Sequence, residues 1–152
     1  MNHIRTAKID DTLQVVGLAR RMHAESTFKD MNFNPNKIAD IVDYSTDEGS
    51  VYFVAVAEDD SGVYGFMLGA AAPSFFGDDI IGGDLCIYVD PAKRGLKAAM
   101  GMIKLFGKFC DDRNAKRTNI GSSAGLVDRR YLKLLERLGY EESGFIASTF
   151  NN

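Results

Sequence analysis

The chain has 152 residues, 45% of them hydrophobic, which is enough to bury a core as one domain, residues 1–152, without disulfide bonds. The formal net charge of −3 disfavours a dedicated nucleic-acid binder, and no apolar run has the length of a membrane span. Cys86 and Cys110 share no metal or redox spacing, and two isolated thiols indicate a reducing, cytoplasmic compartment.

The N-terminal third predicts a strand followed by two helices. A short strand surrounds Ile4, and Asp11 stands three residues before Gln14, a spacing that predicts a reciprocal helix cap. Asn34 and Pro35 predict the start of the second helix, because Asn caps helices and Pro fits the first turn. Each helix has one apolar stripe: Val15, Leu18, Ala19 and Met22 in the first, and Ile38, Ile41 and Val42 in the second.

The middle of the chain predicts a hairpin. Residues 51–57 are rich in β-branched and aromatic side chains, residues 59–62 have the composition of a turn, and residues 63–72 supply the partner strand. The loop that follows carries two aromatic side chains, Phe75 and Phe76. These two side chains are candidates to line an acceptor pocket or a subunit contact, or to fold back onto the core.

A fourth strand begins at Asp84, breaks at Pro91 into a basic loop, and leads into the longest helix. Its side chains alternate between two faces, Leu85, Ile87 and Val89 against Cys86 and Tyr88. The helix stripe consists of Ala99, Met102, Ile103, Phe106, Phe109 and Cys110. Such a strand–loop–helix unit gathers unpaired N–H groups and the positive end of a helix dipole, which predicts a phosphate or pyrophosphate site.

The C-terminal part predicts a short strand over residues 118–122, then a helix from about residue 128 to Leu138 that ends at Gly139. The tail, residues 140–150, is long enough for one or two closing strands. The resulting order is β-α-α-β-β-β-α-β-α-β(-β). It predicts the α/β (α+β) class, with a mixed sheet and helices on both of its faces.

The basic loop resembles the acyl-CoA-binding motif of the GNAT N-acetyltransferase superfamily. That motif is Gln or Arg, two residues, Gly, one residue, then Gly or Ala; Arg94 and Ala99 match it, whereas Lys97 replaces the Gly. Residues 131–140 resemble the family's last helix, and the order of elements extends the likeness over nearly the whole chain. Residues 22–38 resemble a small subgroup common in bacteriophage genomes, which would put the protein in the host cytoplasm.

The resemblance implies a GNAT-like, mostly antiparallel sheet of six or seven strands, splayed between strands 4 and 5. It implies acetyl-CoA as acyl donor, a primary amine of a small molecule or protein as acceptor, no metal, and a homodimer. The loop residues that would bind the pyrophosphate are Arg94, Gly95, Leu96, Lys97, Ala98 and Ala99. The residues whose backbone would pair with the pantetheine arm are Ile87, Tyr88 and Val89.

Three residues are candidates for proton transfer. Asp84 occupies the neighbourhood where many relatives carry a basic Glu, although a solvated carboxylate is also typical of a strand end. Glu25, just after the first helix, is the second candidate base. The family's acidic Tyr corresponds to Leu135 here; Tyr131, one turn earlier, is a substitute, or a core residue of the stripe that it shares with Leu134, Leu135 and Leu138.

Two other functions stay open on the sequence. A non-catalytic binding module on the same fold, acting on a protein partner, is favoured by Lys97 and Leu135, because both depart from the family's pattern. Modification of nucleic acid is disfavoured by the acidic balance, although five basic residues could form a patch: Arg113, Lys116, Arg117, Arg129 and Arg130.

Overall fold

A computed structural model describes residues 2–121 and 129–151. One mixed sheet runs through these residues in the spatial order β1-β2-β3-β4-β5. The first four strands are antiparallel, and β5 runs parallel to β4. The strands are β1 (His3–Thr6), β2 (Tyr52–Asp59), β3 (Gly62–Pro73), β4 (Ile80–Val89) and β5 (Arg117–Asn119).

Four helices cover the two faces of the sheet: α1 (Thr12–Glu25), α2 (Pro35–Ser45), α3 (Leu96–Asp112) and α4 (Arg129–Arg137). The alternation along β2 assigns its side chains to two separate cores. Phe53, Ala55 and Ala57 pack towards α3 and α4, whereas Val54 and Val56 pack towards α1 and α2. The predicted mixed sheet with helices on both faces is confirmed.

Two glycines allow α3 to approach the sheet closely. A Cβ built at Gly82 would lie 2.3 Å from Sγ of Cys110, and one built at Gly69 would lie 2.6 Å from the ring of Phe106. Both partners on α3 are fully buried. β4 begins at Ile80, four residues before the predicted start. The sequence did not indicate this first half of the strand, because the glycines that the close approach requires lack the side-chain pattern that marks a strand.

Local signals were accurate at two helix ends and wrong at one. The Asn34 side chain accepts a hydrogen bond from the Asn36 N–H at 3.0 Å, and Gly139 follows α4 with a φ of 92°. The predicted reciprocal cap of Asp11 and Gln14 does not form. A short 3-10 turn precedes α1, the Asp11 carboxylate binds Arg5, and Gln14 Oε1 instead accepts the Val63 N–H at 2.9 Å.

The sheet has five strands in the described residues, not the six or seven expected, because residues 141–151 form no strand. The neighbouring strand β5 is only three residues long. Pairing along so short an edge buries too little to offset the entropy of ordering the tail. The predicted fifth strand reached residue 122 and the predicted last helix began at residue 128, and both of these positions lie outside the described residues.

Candidate active site

The end of β4 has a backbone edge that pairs with no strand of the described residues. The parallel pairing between β4 and β5 covers only Ile81–Gly83, although β4 continues to Val89. Within residues 2–121 and 129–151, β3 is the only strand beside this second half of β4. The sheet is therefore splayed between its fourth and fifth strands, and apart from the Val89 carbonyl oxygen, which accepts from Arg94, the N–H and C=O groups on that edge are available to another extended chain.

An irregularity marks the point where the two strands part. In the register between β3 and β4, Leu68 faces Cys86 and Gly69 faces Asp84, so Leu85 is an extra, bulged residue. The three residues after Cys86, predicted to contact a pantetheine arm through their backbone, have side chains turned into the cores. Ile87 and Val89 pack on the α3 side, and Tyr88 packs on the α1 side.

The loop after β4 exposes its backbone at the start of α3. Gly95 is the residue before the helix and makes no side-chain cap, and the first turn contains no acidic side chain. The first N–H groups of an α-helix have no intrahelical partner, so they point outward here beside Leu96 and Lys97, both of which are exposed. Ala98 and Ala99 are buried, and their small side chains pack against the α3-side core.

Arg94 does not project freely from this loop. Its Nε donates to the Val89 carbonyl oxygen at 2.9 Å, its Nη2 donates to Oε1 of Glu25, and its guanidinium lies 5.3 Å from the ring centre of Tyr88. Lys97 makes no hydrogen bond and no ion pair with any described residue. Arg94 is therefore anchored, as is Lys93, which binds Asp59, whereas Lys97, in the first turn of α3, has no partner among the described residues.

Glu25 ends α1 and accepts two hydrogen bonds. Its Oε2 accepts from the Tyr88 hydroxyl at 2.8 Å, and its Oε1 accepts from Arg94. Partial burial works to raise the pKa of Glu25, but the hydrogen bonds from Arg94 and Tyr88 prevail and lower it. Glu25 is consequently a carboxylate held in its charged form, which makes it a weak base at neutral pH.

Asp84 lies at the vertex of the splay. Its Oδ1 accepts the N–H of Gly121 at 2.9 Å, so its carboxylate bridges β4 and the chain that follows β5. Asp84 pairs with Gly69, whose Cβ position faces Phe106, and therefore it points to the α3 side of the sheet. Burial raises the pKa of Asp84, and the backbone hydrogen bonds oppose this shift without cancelling it.

Tyr131 lies on α4 and is close enough to Asp84 to be affected by its charge. Burial is the larger cause, and the charge of Asp84 the second, of a raised pKa for the Tyr131 phenol, which keeps it protonated at neutral pH. Leu135, at the position where the family carries its acidic Tyr, is only 6% exposed and packs in the core. Asp84 and Tyr131 thus lie on one side of the sheet, whereas Glu25 contacts β4 from the other side.

An open groove of about 400 Å³ adjoins the vertex of the splay, and Asp84 lines part of it. Its floor is formed by small side chains of β3 and β4, and its wall by Phe75, Leu85 and Asn119. Phe75 and Phe76 are 91% and 87% exposed and contact one another through tilted rings whose centres are 4.0 Å apart. They do not fold back onto the core, as one of the two interpretations of this loop required.

Sequence reasoning did not find the role of Tyr88 or the second ion pair beside it. Arg21 on α1 binds Asp90 at 3.2 Å, one turn before Glu25 binds Arg94. The signal was present as charges of opposite sign at matching spacing: Arg21 and Glu25 are four residues apart, as are Asp90 and Arg94. No local rule links residues 69 positions apart, so only the packing of α1 on the sheet shows the match.

Two of the five basic residues considered above as a patch, Arg113 and Arg117, make hydrogen bonds within the protein. Arg113 donates to the carbonyl oxygens of Phe109 and Ser50, and Arg117 donates to the side chains of Asn119 and Ser143. Among residues 2–121 and 129–151, no helix is long and apolar enough to cross a membrane. The same residues contain no group of three or more His, Cys, Asp or Glu side chains arranged to hold a metal ion.

Several solved structures with this architecture are acetyltransferases. Glucosamine-6-phosphate N-acetyltransferase from Arabidopsis thaliana superposes with a TM-score of 0.75 at 12% identity, over 100% of this chain and 99% of that one. Ribosomal-protein-alanine N-acetyltransferase from Brucella melitensis biovar Abortus 2308 gives 0.70 at 14% identity, with coverage of 100% and 99%. A predicted acetyltransferase from Clostridium acetobutylicum, solved with acetyl-CoA, gives 0.74 at 14% identity, with coverage of 99% and 96%.

No family model matches the sequence, and no curated protein matches it either. At identities this low, likeness to solved structures establishes the fold alone. The chain has the GNAT fold, and the fold expected from the resemblance is confirmed. The likeness to a bacteriophage subgroup stays a prediction.

Proposed function

We propose that the protein is an N-acetyltransferase that takes acetyl-CoA as acyl donor and a primary amine as acceptor. One observation carries this proposal: the unpaired edge of β4 leads directly into the uncapped start of α3. The first feature can pair with the amide groups of a pantetheine arm, and the second can bind the negative charge of a pyrophosphate. The two features occur in the order in which the donor presents those groups.

The residues at the start of α3 fit such a donor. Space is open around the Cβ position of Gly95, and no acidic side chain lies in the first turn of the helix to repel phosphate oxygens. Lys97 adds an unpaired ammonium group, and the backbone of Arg94–Ala99 supplies N–H donors. The edge backbone of Ile87, Tyr88 and Val89 is proposed to pair with the pantetheine arm. The Val89 N–H is our candidate to polarise the thioester carbonyl.

Acetyl-CoA supplies a thioester whose carbonyl carbon forms a bond to the amine nitrogen as its carbon–sulfur bond breaks. The ammonium form of the acceptor must first lose a proton, and we assign this proton to the Asp84 carboxylate, whose raised pKa makes it a better base than an exposed aspartate. Tyr131, which stays protonated, is assigned as the acid that protonates the departing sulfur, and the second proton that the nitrogen loses as it becomes an amide returns to the Tyr131 oxygen. Holding the two reactants together supplies much of the rate.

The acceptor is proposed to enter through the groove beside the splay. This groove reaches the vertex beside Asp84 on the face of the sheet opposite α3, since Ala70 and Ala72 alternate with Ala71 of the α3-side core. The acceptor's amine is therefore proposed to pass through the splay to reach the Asp84 carboxylate, while the Phe75 ring offers apolar contact to its carbon skeleton. None of the residues that line it is basic, so nothing there repels an ammonium ion. A homodimer stays a prediction from the resemblance to the GNAT superfamily.

Thermal unfolding with and without acetyl-CoA tests donor binding directly. Ligand at 100 times its Kd stabilises a protein by about 2.7 kcal/mol, which raises the Tm by several degrees at this chain length. Gly95→Trp should abolish the rise, because an indole there covers the start of α3. Gly95→Ala should retain the rise, since the Cβ enters open space and the backbone is extended, with a φ of −173°. Equal Tm values without ligand confirm that both variants fold.

The second candidate function is a non-catalytic binding module for a protein partner. Buried Leu135 at the family's acid position and Lys97 at its glycine position favour this function. The two candidates differ in the release of free thiol from acetyl-CoA with a panel of amines. Amine-dependent release that Gly95→Trp abolishes excludes the binding module, whereas stabilisation by acetyl-CoA without release for any amine supports it. No stabilisation at millimolar acetyl-CoA refutes the proposed acetyltransferase.

A further inference from the structure

We propose that Glu25 is a positioning residue: it holds Arg94 against the end of β4 and thereby fixes the loop that receives the donor's phosphates. The inference rests on the proposed function and adds a role that the sequence did not suggest, since Glu25 was a candidate base there. It also assigns different tasks to Arg94 and Lys97. Arg94 shapes the loop, and Lys97 contacts the phosphate.

The contacts of Glu25 are those of a positioning residue. Both of its carboxylate oxygens accept hydrogen bonds, from the Tyr88 hydroxyl at 2.8 Å and from Arg94. A base needs an oxygen that reaches the acceptor's proton, whereas these oxygens are directed at β4 and at the loop. The contacts close a ring, because the Arg94 guanidinium lies over the Tyr88 ring as well.

The charges along α1 match those of the segment beside it. Its last two turns present Arg21 and then Glu25, and the segment beside them presents Asp90 and then Arg94. Each charge therefore meets its opposite, and a shift of α1 by one turn would bring like charges together. Asp90 also accepts the Ala92 N–H at 3.0 Å, which ties this pattern to the backbone conformation of the loop.

Arg94 is held in place by its own hydrogen bonds. Its Nε is bonded to the Val89 carbonyl oxygen and its Nη2 to Glu25, so only Nη1 has no partner among the described residues. An arginine held this way cannot reach far from the strand without breaking charge-assisted hydrogen bonds. Lys97 lies three residues further on, is exposed, and has no partner among the described residues, so its ammonium group can contact a phosphate.

Glu25→Gln separates positioning from proton transfer. Glutamine keeps the shape and one acceptor oxygen but loses the charge that holds Arg94. We expect the Kd and KM for acetyl-CoA to rise about tenfold, the loss typical of a charge-assisted hydrogen bond, with kcat and its pH profile retained. Glu136→Gln, the same substitution at an exposed position near the end of α4, is the matched control and should change neither. A fall in kcat with an unchanged Kd would identify Glu25 as a base and overturn the inference.

A double-mutant cycle tests which cation Glu25 acts through. Glu25→Gln and Arg94→Gln should be non-additive in the Kd for acetyl-CoA, since either change breaks the same contact. Glu25→Gln and Lys97→Gln should be additive, because Lys97 has no contact with the ring of residues around Glu25. Additivity with Arg94, or non-additivity with Lys97 alone, contradicts the separation of tasks proposed here.

Amide hydrogen exchange in the ligand-free protein tests the same inference without the donor. Glu25→Gln should accelerate exchange of the hydrogen-bonded amides of Asp90, Ala92 and Lys93 about tenfold, while the strands β2 and β3 exchange as in the wild type. Unchanged exchange in this segment overturns the positioning role. Absence of acetyl-CoA binding by the wild type would instead overturn the proposed function, so the two failures give different results.

Discussion

The chemistry at residue scale depends on one carboxylate at the vertex of the splayed strands. Asp84 sits where β4 leaves β5, accepts the Gly121 N–H, and has a pKa raised chiefly by burial. A buried carboxylate of this kind serves catalysis better than an exposed one, because its pKa lies closer to neutrality. The same burial favours the neutral acid in the folded protein, so ionisation of Asp84 costs stability as the pH rises through its folded-state pKa.

Asp84→Asn should lower kcat by about 10²- to 10⁴-fold, the usual contribution of a general base. The acidic limb of the wild-type pH–rate profile should lie above the ordinary range of an aspartate and should be missing in the variant. Asparagine keeps an oxygen that can accept the Gly121 N–H, so the fold should survive. Asp79→Asn, in the exposed loop before β4, is the matched control. A variant that retains kcat and the acidic limb would show that the Asp84 carboxylate only bridges the strands.

At the scale of elements, the position of the donor loop depends on how closely α3 packs on the sheet. Gly82→Ala should destabilise the fold by about 1–3 kcal/mol, because the new methyl would lie 2.3 Å from the fully buried Sγ of Cys110. Gly83→Ala, the next residue of β4, meets nothing within 4 Å and is the matched control. Thermal or denaturant unfolding measures both.

A compensating change at the contact makes this test more specific. Cys110→Ala removes the sulfur that the methyl would strike, so Gly82→Ala should cost less in the Cys110→Ala background than alone. Equal costs in the two backgrounds would mean that strand propensity, and not the approach of α3, requires glycine at position 82.

The elements that could be predicted from sequence are those whose signals are local. The cap at Asn34 and the helix stop at Gly139 need only neighbouring residues, and both are present in the structure. The cap at Asp11 failed because that carboxylate binds Arg5, on the preceding strand, and the backbone N–H of Lys8. The loop of the candidate site was located by its order of strand, glycine and helix, whereas the attachment of Arg94 to α1 depended on tertiary packing.

At the scale of the whole molecule, two cores share one sheet, and the first strand is tied to both the sheet and α1 by a single arginine. Arg5 donates to Asp11 at 2.8 and 3.0 Å and to Glu58 at 2.9 Å, so it joins β1, the turn before α1 and β2. Asp11 is only 5% exposed. Because water scarcely reaches this carboxylate, its negative charge is stabilised mainly by Arg5.

The stability of the whole fold should therefore depend on pH through Asp11. The hydrogen bond from Arg5 lowers the pKa of Asp11 below its ordinary value, and burial opposes the shift without cancelling it. The stabilisation is consequently full above the unfolded-state pKa of about 3.9 and is lost as the pH falls through the lower folded-state pKa. Asp11→Asn should cost about 2 kcal/mol at pH 7, the size of a charge-assisted hydrogen bond, and lower the Tm by about 5 °C.

The difference in free energy of unfolding between the wild type and Asp11→Asn should shrink as the pH falls below about 4, since protonation removes from the wild type what the substitution removes at every pH. Asp10→Asn, at the exposed neighbour, should leave stability unchanged at both ends of this range. Denaturant titrations at pH 7 and pH 3 measure both differences. A cost of Asp11→Asn that is equal at the two pH values would assign it to packing and would exclude the charge of Asp11 as what ties β1 to the turn before α1.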